Sequence, residues 1–174
     1  ADYYGVDGTI IITNPNAPTG RAMPLADIEG ILQHNPEQLV VIDEAYVDFG
    51  AESAVSLLDK YDNLLVVQTL SKSRSLAGAR VGLAISNQEI IADLNRIKFS
   101  FNPYNLNRLS ILAGTEALKD VEYFNDTRTR IMETREDFVA QMEALGFTVL
   151  PSKANFVFAT HPDLAGQTYF EKLR

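Results

Sequence analysis

Residues 64–80 read LLVVQTLSKSRSLAGAR: an unbroken apolar run, a lysine among small residues, a glycine-containing turn and an arginine. The run at 64–67 is continuous rather than alternating, the pattern of a parallel strand buried on both faces. Residues 39–46, LVVIDEAY, repeat the arrangement, with a strand at 39–42 discharging into Asp43 and Tyr46. A third run, TIIIT at 9–13, leads into NPNAPTG at 14–20, a turn rich in backbone-fixing residues. Between the first two runs along the chain, Leu25, Ile28, Ile31 and Leu32 recur at helical spacing behind Pro24. Residues 80–85 complete a fourth strand, with Gly82 marking a close backbone approach. Strands alternating with helices predict an α/β fold, three layers α/β/α around a mostly parallel sheet.

Further along, residues 87–99 and 106–118 are expected helices, broken by Asn102-Pro103-Tyr104. Residues 121–145 place Val121, Phe124, Ile131, Phe138, Met142 and Leu145 on one stripe, a long amphipathic helix ended by Gly146. Two short strands, 147–150 and 154–159, flank Pro151-Ser152-Lys153, and Pro162-Asp163 opens a helical pattern through Leu164, Phe170 and Leu173. The change from strand–helix alternation to a long helix with paired strands sets a boundary near residue 120. Residues 1–120 would be part of a large domain, and 121–174 a connecting helix with the beginning of a smaller α+β domain. A first residue, Ala1, close to a strand and a last, Arg174, within a running helix set the expectation of an internal piece of a longer protein.

At 174 residues and 46% hydrophobic content the chain can bury one good core. A net charge of −8 argues against a nucleic-acid partner, because neutralising phosphates needs a basic face. No apolar run approaches the roughly 20 residues that span a bilayer. Zero cysteines exclude a disulfide framework and thiolate metal sites, and suit the cytoplasm.

Lys72 stands at a strand-to-turn junction among Ser71, Ser73, Ser75, Ala77 and Gly78. The expectation is a crowded, desolvated amine of the kind that bonds carbonyl compounds covalently; taken alone, a surface loop lysine is commoner. Asp43 leaves the sheet at the strand ends where α/β folds bind ligands, and a carboxylate there pairs well with a protonated pyridine nitrogen. Tyr46 can turn its hydroxyl to the same ring. Ser71 and either Arg80 or Arg74 offer a hydroxyl and a planar guanidinium to a phosphate. Asp43, Glu44, Asp48 and Glu52 cluster in sequence, but a solvated acidic loop is the commoner outcome and no metal is expected. The two histidines, His34 and His161, stand apart without partners.

Taken jointly, NPNAPTG at 14–20, DEAY at 43–46 and TLSKSRSLAGAR at 69–80 resemble the fold-type I pyridoxal-phosphate aminotransferases of class I/II, in order and in spacing. PYNLN at 103–107 and ANF at 154–156 further resemble the histidinol-phosphate aminotransferase branch. The resemblance implies that residues 1–120 belong to the cofactor-binding large domain, with strand 80–85 antiparallel to its neighbours. It implies covalent attachment of pyridoxal 5′-phosphate to Lys72, which then carries the proton at the substrate α-carbon. Asp43 would pair with the pyridine nitrogen and Tyr46 with the 3′-oxygen; Ser71 and Arg80, with Thr69 beside them, would hold the phosphate. Asn155 would lie near the substrate carboxylate. Where the family usually has an asparagine before Pro-Thr-Gly this chain has Ala17, so Asn14 or Asn16 reaches in, or Tyr46 acts alone.

The activity implied is transamination of L-histidinol phosphate with 2-oxoglutarate to imidazole acetol phosphate and L-glutamate, a step of histidine biosynthesis, in a homodimer. Alternatives within the fold are an aromatic or other class I/II aminotransferase and a phospho-amino-acid decarboxylase. An alternative of another kind is that residues 1–174 alone form a non-catalytic core module.

Overall fold

The structure, a computed structural model, describes residues 2–174. Its centre is a sheet of β1 (Ile10–Thr13), β2 (Val40–Asp43), β3 (Leu64–Thr69) and β4 (Gly82–Ile85), in that spatial order. The first three strands run parallel and β4 is antiparallel to β3, as expected. The α/β class and the mostly parallel sheet therefore stand. Register pairs Thr13 with Asp43 and Asp43 with Val67, so β1 and β2 end together and β3 runs two residues further, to Thr69.

Side chains alternate across the sheet. Ile10, Ile12, Val40, Ile42, Leu64 and Val66 share one face and are buried against Ile28, Ile31 and Leu32 of α1 (Leu25–His34). That face is the core. On the other face Ile11 is 69% exposed, although its run read as covered on both sides. A continuous apolar run reports that both faces suit burial, not that this chain supplies both covers.

Helices α2 (Gln88–Phe101), α3 (Arg108–Lys119) and α4 (Val121–Ala144) follow, each begun by a side chain that accepts a backbone N–H of its first turn. The caps are Asn87, Asn107 and Asp120. Gly146, with φ of 88°, lies just past the end of α4. The expected stripe along α4 is not a buried one. Met142 is buried, but Val121, Phe138 and Leu145 are exposed. A helix of 24 residues is about 36 Å long, so much of it runs past the short strands it could lean on.

The C-terminal region also differs from expectation. Only β5 (Thr148–Val149) and β6 (Ala159–Thr160) pair, antiparallel. Residues 154–158 are not strand, because Ser152 accepts the Ala154 N–H and donates to the Phe156 carbonyl. These local bonds compete with a ladder. The last helix, α5 (Gly166–Leu173), starts beyond Pro162-Asp163, whose backbone is held by Asp163 N–H donating to His161 Nδ1. No helix among the described residues is long and apolar enough to cross a membrane.

Candidate functional site

Asp43 ends β2 half-buried, and its Oδ1 accepts the Ala45 N–H at 3.0 Å, leaving Oδ2 for a ligand. Glu44 points the other way and is 2% exposed. Its carboxylate accepts from Ser53 Oγ, the Ala54 N–H and Gln68 Nε2 at 2.7, 2.6 and 2.9 Å. The stretch from Asp43 to Glu52 is thus not the solvated acidic loop its composition suggests. Glu44 is an internal brace, invisible in sequence because only the sheet's alternation turns it inward.

After Glu44 the chain makes a 3₁₀ turn at Val47–Phe49. Tyr46 sets its ring edge-on to Phe156, 5.0 Å between centroids. The Lys72 ammonium stands 5.4 Å from the Tyr46 ring centroid. Lys72 is exposed among the described residues, where a desolvated amine was the expectation.

Two hydroxyls precede it. Thr69 Oγ1 donates to Ser71 Oγ at 2.9 Å and accepts the Ser71 N–H at 3.1 Å. Arg74, a rival of Arg80 for an anion, is committed elsewhere: Nη1 donates to the Ala117 carbonyl at 2.7 Å and the guanidinium lies 3.5 Å from the Phe124 ring centroid. Arg80 is exposed and bonds only to the Ala77 carbonyl. Among the described residues the non-glycine positive φ angles are those of Ser75 and Arg80, both 56°. Left-handed backbone costs an ordinary residue about 1–2 kcal/mol, and such strain gathers at functional sites.

The 14–20 loop answers one open question. Asn14 is buried, its amide exchanging hydrogen bonds with both backbone groups of Met23. It cannot reach a ligand. Asn16 closes its own turn on Thr13 and Thr19. Gly20 has φ of 74°, its carbonyl accepts the Lys153 N–H, and a Cβ there would collide with Ser152. Asn155 is exposed and lines a cavity of about 380 Å³ with Arg130, Ile131, Phe138 and Phe156. Neither Lys72 nor Asp43 lines that cavity. Its neighbour Phe156 touches Tyr46.

Asp43, Tyr46, Thr69, Ser71, Lys72 and Arg80 thus come from two adjacent strand ends and the turns that follow them. A carboxylate, a phenol, paired hydroxyls, an amine and an exposed guanidinium are donor and acceptor groups suited to a pyridine ring bearing an aldehyde and a phosphate. The family model for aminotransferase class I and II matches residues 5–174. The chain belongs to that family.

Relatives include the histidinol-phosphate aminotransferase of Marinomonas sp. (strain MWYL1), 53% identical over all of this chain and 50% of the relative. Histidinol-phosphate aminotransferase 2 of Rhizobium meliloti is 55% identical, again over all of this chain and 50% of its own length. The chain spans about half the length of the curated relatives it matches. Among solved structures, the histidinol-phosphate aminotransferase from Clostridium acetobutylicum superposes with a TM-score of 0.87 at 29% identity, over 97% of this chain and 52% of that one. The enzyme from Sinorhizobium meliloti in complex with pyridoxal-5′-phosphate gives 0.80 at 26% identity, over 89% and 42%.

Proposed function

We propose that the whole protein is a pyridoxal-phosphate aminotransferase that takes the amino group of L-histidinol phosphate to 2-oxoglutarate, with Lys72 as its reacting amine. The observation that carries the reading is the placement of Lys72 over Tyr46, in a strained turn at the strand ends where Asp43 also stands. The names of relatives more than 50% identical support the substrate.

When bound, pyridoxal phosphate supplies the electron sink that makes the substrate α-carbon acidic. Lys72 holds the cofactor and moves the proton at that carbon. Asp43 keeps the ring nitrogen protonated, and Tyr46 orients the ring through its phenol. Thr69, Ser71 and Arg80 hold the phosphate; Arg74 has no part in it. Asn155 would act on the substrate carboxylate from beside Phe156. Residues 1–120 serve as part of the cofactor-binding large domain, and 121–174 as the connecting helix and the beginning of a smaller domain.

A homodimer is part of the proposal. Phe101 and Tyr104 are 90% and 91% exposed, and Leu109 and Leu112 lie bare on α3 nearby. Large apolar side chains gathered in this way mark a protein interface, here with a second copy. The cysteine-free composition fits work in the cytoplasm.

The test is made on the full-length protein. Borohydride reduction in the presence of cofactor should fix the label on Lys72, and Lys72→Ala should lose both label and turnover. Labelling at another residue overturns the site. Turnover of phenylalanine without histidinol phosphate overturns the substrate. Transamination by residues 1–174 alone would exclude the reading of this chain as a non-catalytic core module.

A further inference from the structure

The turn that carries Lys72 and the turn that carries Tyr46 leave adjacent strands, and a side-chain bond ties them together. Ser73 Oγ donates to the Asp48 carboxylate. Ser73 is 5% exposed, so its hydroxyl requires a protein partner. Asp48 lies between Val47 and Phe49, both buried. Core packing of its two neighbours therefore makes the carboxylate a fixed post.

The other hydrogen bonds of the lysine turn lead elsewhere. Ser75 N–H donates to the Lys72 carbonyl and Leu76 N–H to the Leu70 carbonyl, both within the same segment. Arg74 reaches α3 and α4 through Ala117 and Phe124. None of these sets the lysine turn against Tyr46. Lys72 itself is exposed, its ammonium 5.4 Å from the Tyr46 ring centroid. How the amine sits relative to the phenol therefore depends on how the two turns are joined, and the join is one residue beyond Lys72 and two beyond Tyr46.

We propose that Ser73 and Asp48 are a positioning pair that holds the Lys72 amine in register with Tyr46, so that both address the same cofactor ring. This rests on the assignment of Lys72 as the reacting amine. The pair touches no reacting atom; it acts by fixing one turn on the other. A hydroxyl on a carboxylate suits the task, because a bond with one charged partner is short, directional and stronger than a neutral one.

The test uses the full-length protein with pyridoxal 5′-phosphate as probe. It reads cofactor affinity, the visible absorption of the bound cofactor, and the fraction of Lys72 trapped by borohydride. Ser73→Ala and Asp48→Ala should each weaken cofactor binding about tenfold, as expected for loss of a charge-assisted bond, and lower the trapped fraction. The double variant should be no weaker than either single one, because both remove the same bond. Ser73→Thr, which keeps the hydroxyl, should restore affinity and absorption. A Ser73→Ala protein that matches wild type in all three readouts overturns the pair, as does a Ser73→Thr protein as impaired as Ser73→Ala. Should Ser73→Ala fail to fold, an Asp48→Ala protein matching wild type overturns it equally. If the wild type itself traps no cofactor on Lys72, the site assignment and the pair fall together; normal trapping with unaffected variants sinks the pair alone.

Discussion

Ser75 and Arg80 hold left-handed backbone five residues apart, on either side of Gly78. A β-branched side chain suffers most in that conformation, so Ser75→Val should destabilise the protein, measured by urea unfolding, while Ser75→Gly, which relieves the cost of about 1–2 kcal/mol that Ser75 already bears, should not. The two arginines of this turn separate cleanly. Arg80→Gln should cut cofactor affinity at least about tenfold while changing stability by less than about 0.5 kcal/mol, since its side chain is exposed. Arg74→Gln should do the reverse, costing about 2 kcal/mol of stability through the Ala117 bond and the Phe124 stack with little change in affinity. Equilibrium unfolding beside a cofactor titration checks both. Sequence spacing left the two arginines equal; the contacts of each side chain distinguish them.

At the scale of elements, braces hold the turns where the strands end. Glu44 joins the end of β2 to Gln68 of β3 and to the Ser53-Ala54 backbone. Glu44→Ala would leave the Ala54 N–H and the Gln68 amide without acceptors in the interior, at a cost of about 3 kcal/mol, visible as a lower melting temperature. Arg135 plays a similar part for α4, donating to the carbonyls of Phe49 and Ala154. Burial pushes its guanidinium below its ordinary range, with Glu136 pulling it partly back. A guanidinium remains charged through the accessible pH range, so this brace should not make stability depend on pH. Arg135→Met should lower stability by about 2 kcal/mol through the two orphaned carbonyls, with no new transition in a pH series of melting curves. Asn87, Asn107 and Asp120 each cap a helix by accepting from a residue three positions on, and the helices begin within two residues of the expected starts. Residues 154–158 were misread as strand because the Ser152 bonds to Ala154 and Phe156 bend the backbone there.

For the molecule as a whole, the exposed apolar side chains of α2 and α3 are where the proposed homodimer can be tested. If the full-length protein is the proposed dimer, Phe101→Ser combined with Leu109→Ser should shift it toward monomer in sedimentation velocity while far-UV dichroism stays unchanged. A persistent dimer would place the interface elsewhere. The α/β class and the mostly parallel sheet follow from patterns local to the chain: apolar runs of strand length, helical spacing between them, and turn residues at their ends. The antiparallel β4 was implied by the family resemblance, and the strand order is seen in the tertiary structure. Asp43, Tyr46 and Lys72 could be named as candidates from their residue chemistry, and the family resemblance joined them in one proposed site. What tertiary structure alone decided is which neighbours each one meets. Glu44 turns inward, Asn14 is taken up by Met23, and Ser73 finds Asp48, because burial and pairing depend on residues brought near by folding rather than by adjacency along the chain.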